Sequence, residues 1–226
     1  MGVIIRRLIR INPVVLELQY HETNSQNYAI LISPSPSKNG SMRTGVISAM
    51  FKAFIDSDWN VLRFNFRNCG DSKGPTLTDE SMYLSDTNLV LDWYLEQIGV
   101  DKKHFLIGGY AFGARLALET LMRRPELNGF VAVSPPVHES DFSFLTPCTH
   151  SGLLVHARYD EYANLQQINN LYEKIYGQQK DTQLAILDDV HSFRNKKDLL
   201  YDTVKHFIQH RQTINKVNIE FEQFDS

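Results

Sequence analysis

The chain reads as an α/β fold, a mostly parallel sheet with helices on both faces, and three observations carry that reading. Apolar, β-branched runs recur along the 226 residues. Helical periodicity fills the gaps between them. One gap holds a strand, a glycine-framed turn and a helix in direct succession.

The runs that read as strands are 14–20, 28–33, 60–66, 104–108, 130–134, 152–157 and 182–187. Between them, Val46, Met50 and Phe54 share one helix face, as do Leu91, Leu95 and Ile98, with Gly99 expected to stop that second helix. Leu116 with Thr120, then Leu165, Ile168, Tyr172 and Ile175, then Leu200, Val204, Phe207 and Ile208 keep the same spacing, so five helices are expected. Strands alternating with helices place ligands at the carboxyl ends of the strands. The connections are too short for an inserted lid, and any cleft is expected to be open. Residues 1–211 form the expected domain. The tail 212–226 is polar and acidic, with Val217, Ile219 and Phe221 alternating as a strand would, so it is read as frayed or as an added edge strand.

Composition narrows the function classes. A net charge of −3 and a pI near 6.2 argue against a nucleic-acid binder, which needs a dense basic face. Apolar stretches fall well short of the ~20 residues of a membrane span, and the opening MGVIIRRLIRINPVV has no signal-peptide pattern, so a cytoplasmic protein without a membrane partner is expected. A myristoylation reading fails at Arg6. Cys69 and Cys148 form no metal-like spacing, and neither a metal nor a cofactor is expected.

The segment HFLIGGYAFGAR, residues 104–115, carries the chemistry. An apolar run enters Gly109-x-x-x-Gly113 and leaves through a helical stretch, the strand–turn–helix of a GxSxG nucleophile elbow. Ala111 stands where that motif has serine, so the nucleophilic oxygen is missing. The backbone there is expected to be strained all the same. In the order such folds use, an acid and then a histidine follow the elbow. Asp160 in ARYDEY and His191 in DDVHSF each sit just past a strand end. Taken singly, each reads as an ordinary loop residue; taken with the elbow, they read as the remaining two members of a triad. The Phe112 amide, at the start of the helix, and Ser35, between two prolines that carry no N–H, are the expected oxyanion donors.

Gly70–Gly74 also matches GxSxG, but no periodic helix starts at Ser72, so the match is rejected and 67–74 is read as a loop near the site rim. Cys69 within it is expected to be a partly buried thiol. Tyr110, Phe142 and Phe144 are expected to wall an apolar cleft beside the elbow, although core packing explains the two phenylalanines equally well.

Taken together, SPSPSKNGSM, VLRFNFRNCGDSKG, LDWYL, GYAFGARLALETLMRRPEL, VSPPVHESDFSFLTPC, SGLLVHARYDEY and DDVHSF resemble the small, lidless bacterial α/β-hydrolases, with dienelactone-hydrolase-like and serine-peptidase-like relatives. The likeness runs from about residue 28 to 211. It implies the α/β-hydrolase fold and a triad mapping onto Ala111, Asp160 and His191, with Phe112 and Ser35 as oxyanion donors. Three departures cluster at the site: SPSP with Asn39-Gly40 for HPHP with GG, Ala111 for serine, and Ala157 for the glycine of a Gly-x-x-Asp turn.

Two functions follow. One is a non-catalytic member that keeps a cleft for a small ester-like, carboxylate or peptide ligand, or for a protein partner. The other is an active serine hydrolase of esterase or peptidase type, seen as a Ser-to-Ala inactivated variant.

Overall fold

The computed structural model describes residues 2–98, 104–178 and 181–222, with side chains described through Arg211. One eight-stranded sheet runs in the order β1-β2-β4-β3-β5-β6-β7-β8, with strands β1 (Val3–Ile11), β2 (Val14–Glu22), β3 (Asn27–Ile32), β4 (Asn60–Phe64), β5 (His104–Tyr110), β6 (Gly129–Val133), β7 (Gly152–Ala157) and β8 (Gln183–Leu187). The β1–β2 and β2–β4 pairs are antiparallel. All the others are parallel.

Period-two alternation in the central strands builds two cores. Ile30, Ile32, Phe105, Ile107, Phe130 and Ala132 face one side, where α2 (Ser81–Ile98), α3 (Phe112–Leu121) and α4 (Leu165–Tyr176) cover them. Ala29, Leu31, Leu106, Val131 and Val133 face the other, under α1 (Gly45–Ile55) and α5 (Lys197–Glu222). Strands buried on both faces read as continuous apolar runs because each face needs its own apolar set. The five expected helices lie where the periodicity puts them. Gly99, the expected stop of α2, lies outside the described residues.

Two parts of the fold differ from the sequence reading. The first strand, β1, was not expected, because Arg6, Arg7 and Arg10 interrupt its apolar residues. It is an edge strand on which most residues are exposed, so no buried face imposes an alternation. The backbone beyond residue 211 runs as a continuation of α5 to Glu222, not as a frayed tail or an edge strand. No glycine or proline occurs after Gly177 to end the helix.

Candidate active site

The elbow is built by close approach. A Cβ on Gly109 would lie 2.2 Å from the Gly113 carbonyl oxygen, and one on Gly113 would lie 2.3 Å from that of Ile32. With both positions bare, β5 turns directly into α3 and Ala111 caps the helix at φ 50°, ψ −121°. That is a strained conformation for a residue with a Cβ. Its N–H donates to the Val133 carbonyl at 2.9 Å, and its own carbonyl accepts from Ala114 at 2.9 Å, so the strain is held from both sides. Phe112 is the first residue of α3, and its amide therefore has no acceptor one turn back.

Asp160 and His191 come together past the ends of β7 and β8. Asp160 Oδ2 lies 2.7 Å from His191 Nδ1, and Oδ1 accepts the amides of Tyr162 at 3.0 Å and Ala163 at 3.2 Å. Burial pushes the Asp160 carboxyl up, but the His191 contact and the two amides outweigh it and hold the group at about 2. It is a fixed carboxylate beside an imidazole, which sets the ring's tautomer and orientation. The His191 ring is gripped further by its backbone: its N–H donates to Glu161 Oε2 at 3.1 Å, and its carbonyl accepts from the Tyr110 hydroxyl at 3.2 Å. Burial, then the neighbouring Asp160 and Glu161 charges, push the Tyr110 phenol well above its ordinary value, so it stays a donor.

Four supporting residues escaped the sequence reading. Asp189, buried at 2% exposure, accepts the amides of Val190, Asn195 and Lys196 and the Asn195 side chain, folding the loop that presents His191. Burial raises its carboxyl and those bonds lower it, leaving it below the usual range. Asn164 and Gln167 form a reciprocal capping box that starts α4 just after the Asp160 turn. That pair was legible as an Asn-x-x-Gln spacing ahead of an apolar stripe. Fully buried His156 binds the Ala163 carbonyl at 3.0 Å through Nε2 and turns Nδ1 toward Asp160 at 3.9 Å, with burial lowering its basicity.

A cleft of about 560 Å³ opens over the elbow, and Ser35, Tyr110, Ala111, Phe112 and His191 all line it. Ser35 precedes a short 3-10 turn (Pro36–Lys38), with its hydroxyl 2.8 Å from that of Ser37. Phe142 and Phe144 do not line the cleft. Asp141 accepts the Ser143 amide at 2.8 Å and starts a turn that carries Phe142 into the core, where Phe144 packs beside it. Loop 67–74 lies near the rim, where Cys69 meets the cleft-lining Gly40, but does not itself line the cleft. The Ser72 hydroxyl accepts the Glu17 amide and donates to the Asn65 carbonyl, both at 2.8 Å, which ties the loop to β2; Arg67 is buried against Asp86. Cys69 is half-buried with Sγ 3.4 Å from the Gly40 carbonyl, and burial pushes its thiol up. Arg158 pairs with Asp188 at the surface and does not line the cleft. Among the described residues no cluster of three or more His, Cys, Asp or Glu could hold a metal, and no helix is long and apolar enough to cross a membrane.

The sheet order, the strained strand-to-helix turn and the acid–histidine pair together define an α/β-hydrolase architecture. The chain belongs to that family: residues 39–170 match the family profile of the alpha/beta hydrolase fold. An uncharacterized protein of Rickettsia prowazekii (strain Madrid E) is 34% identical over 191 residues, covering 81% of this chain and 79% of its own. Among solved structures, a protein of unknown function from Agrobacterium tumefaciens superposes with a TM-score of 0.84 at 31% identity, covering 92% of this chain and 96% of that one. A lidless α/β serine hydrolase from Xanthomonas campestris gives a TM-score of 0.77 at 22% identity over 92% and 94% of the two chains, a likeness of fold.

Proposed function

We propose that this chain is a non-catalytic α/β-hydrolase-family protein whose cleft binds a small ester-like, carboxylate or peptide ligand. Ala111 stands at the nucleophile position, with Asp160 and His191 as the other triad members and Phe112 and Ser35 as oxyanion donors. The carrying observation is Ala111 at φ 50°, ψ −121°: an elbow backbone with no hydroxyl. Such a conformation costs about 1 to 3 kcal/mol and persists only where its surroundings over-determine it. A retained binding role accounts for it, since the start of α3 favours a negative group without any nucleophile. The protein is cytoplasmic on this reading, with neither nucleic acid nor membrane as partner.

The test is covalent labelling with a fluorophosphonate probe, read by intact mass, alongside calorimetric titration with short carboxylates. No adduct together with measurable carboxylate binding is the expected result. An adduct that heat denaturation abolishes would overturn the reading.

A second reading, an active serine hydrolase represented by a Ser-to-Ala variant, is favoured by one observation: the 2.7 Å Asp160–His191 contact is fully supported by its neighbours. Restoring the serine separates the two.

A further inference from the structure

Tyr162 is unusual among the residues of the cleft wall. It is a large aromatic left 56% exposed, yet it is not adrift: its N–H is fixed to Asp160 Oδ1 at 3.0 Å. His138, from the loop after β6, stacks on it with centroids 5.8 Å apart and planes at 26°. Its ring meets His191 edge to face at 4.9 Å and 78°. Tyr110 lies 5.2 Å from His191 in turn. Four rings therefore line one cleft, and the two histidine contacts leave more than half of Tyr162 uncovered.

The same cleft carries two cations. Arg115, in the first turn of α3, lies 3.1 Å from Glu80, and Lys38 lies 3.7 Å from Glu139. Glu80 and Glu139 are about half exposed or more, so these two pairs are weak and readily exchanged for a ligand carboxylate, while Glu119 at 3.2 Å keeps Arg115 anchored from its own helix. A cleft of about 560 Å³ is of the size that encloses a small organic ligand.

We propose that the cleft takes an aryl carboxylic acid or its ester, with the ring laid against the exposed part of Tyr162 beside His138 and the carboxyl group directed to Arg115 at the start of α3. Tyr162 is then the residue that selects aromatic over saturated ligands, because only a planar π-face gains from offset stacking. The charged lining is balanced, Lys38 and Arg115 against Glu80 and Glu139, so a quaternary cation, the other ligand an aromatic wall can hold, is the competitor the test must separate. The inference rests on the reading of the cleft as a site for small carboxylates or esters, and it adds the chemical class and the residue that selects it.

The test compares trans-cinnamate with 3-cyclohexylpropanoate, acids of similar size that share the carboxylate, one a planar conjugated aryl acid and the other fully saturated, by calorimetry on the full chain. Cinnamate is expected to bind roughly three- to tenfold more tightly. Tyr162→Ala keeps the backbone N–H to Asp160 and should bring cinnamate down to the level of the saturated acid. Tyr162→Phe should preserve the preference. Equal binding of both acids, or a preference that survives Tyr162→Ala, overturns the aryl assignment and leaves the carboxylate cleft standing. Failure of both acids to bind overturns the two together. Phenyltrimethylammonium binding more tightly than cinnamate would make the wall a cation site and also sink the proposal.

Discussion

His191 Nδ1 lies 2.7 Å from Asp160 Oδ2, and both groups are locked by neighbours at the cleft that Ala111 also lines. An acid–imidazole pair of this geometry can hold and move a proton. At the elbow no side chain has one to exchange.

The chain as written should therefore show no serine-type turnover. Removing the nucleophile from a triad enzyme costs roughly a million-fold in kcat. Release of p-nitrophenol from short-chain esters should match a heat-denatured control apart from a modest residual. A burst of one equivalent of product would point to another serine as the nucleophile.

Ala111→Ser should create ester hydrolysis, because the elbow backbone and its histidine are already in place. The new hydroxyl is expected within ~2.6 to 3.2 Å of the imidazole. Activity should vanish in the Ala111→Ser, His191→Ala double variant. Hydrolysis that survives the second substitution would dismiss His191 as the base.

The Asp160 contact makes stability depend on pH. Its carboxyl is held at about 2 against an ordinary 3.8, so the folded state binds the proton less readily than the unfolded one. Its contribution is fully present above about pH 4 and is lost as pH falls toward 2, a loss on the order of 2 kcal/mol. Asp160→Asn should flatten that part of the acid denaturation profile. An unchanged profile would mean that other carboxylates govern acid unfolding.

Asp189→Ala should release the loop that presents His191. Losing the buried acceptor for the amides of Val190, Asn195 and Lys196 costs about 1 to 3 kcal/mol. Urea melts should show it, and amide exchange across 188–196 should quicken while the β5–β6 core stays protected. Uniform acceleration over the whole chain would argue against a local role.

Gly113→Ala should be more damaging than its single methyl suggests, since that Cβ would sit 2.3 Å from the Ile32 carbonyl oxygen. Backbone on both sides leaves no flexible partner to yield. A melting temperature within a degree or two of the wild type would show that α3 can move away from β3 at little cost.

The strands, the helices and the elbow were readable from sequence because each depends on residues close together in the chain. The continuous apolar runs of β3, β5 and β6 follow from burial on both faces, and the tight turn at Ala111 follows from two glycines four residues apart. Asp160 and His191 were readable from their places just past strand ends. What the chain alone left open was decided across the fold. The edge strand β1 lacked a periodic face, and Phe142 turned to the core rather than to the cleft. Ser72 was drawn to Glu17, 55 residues away. Asp189 became the support of the histidine loop, and Tyr162 was brought against His138 from another loop. Local patterns fix backbone conformation through sterics and periodicity, whereas a side chain in a loop takes its partner from whichever distant segment the sheet order brings beside it.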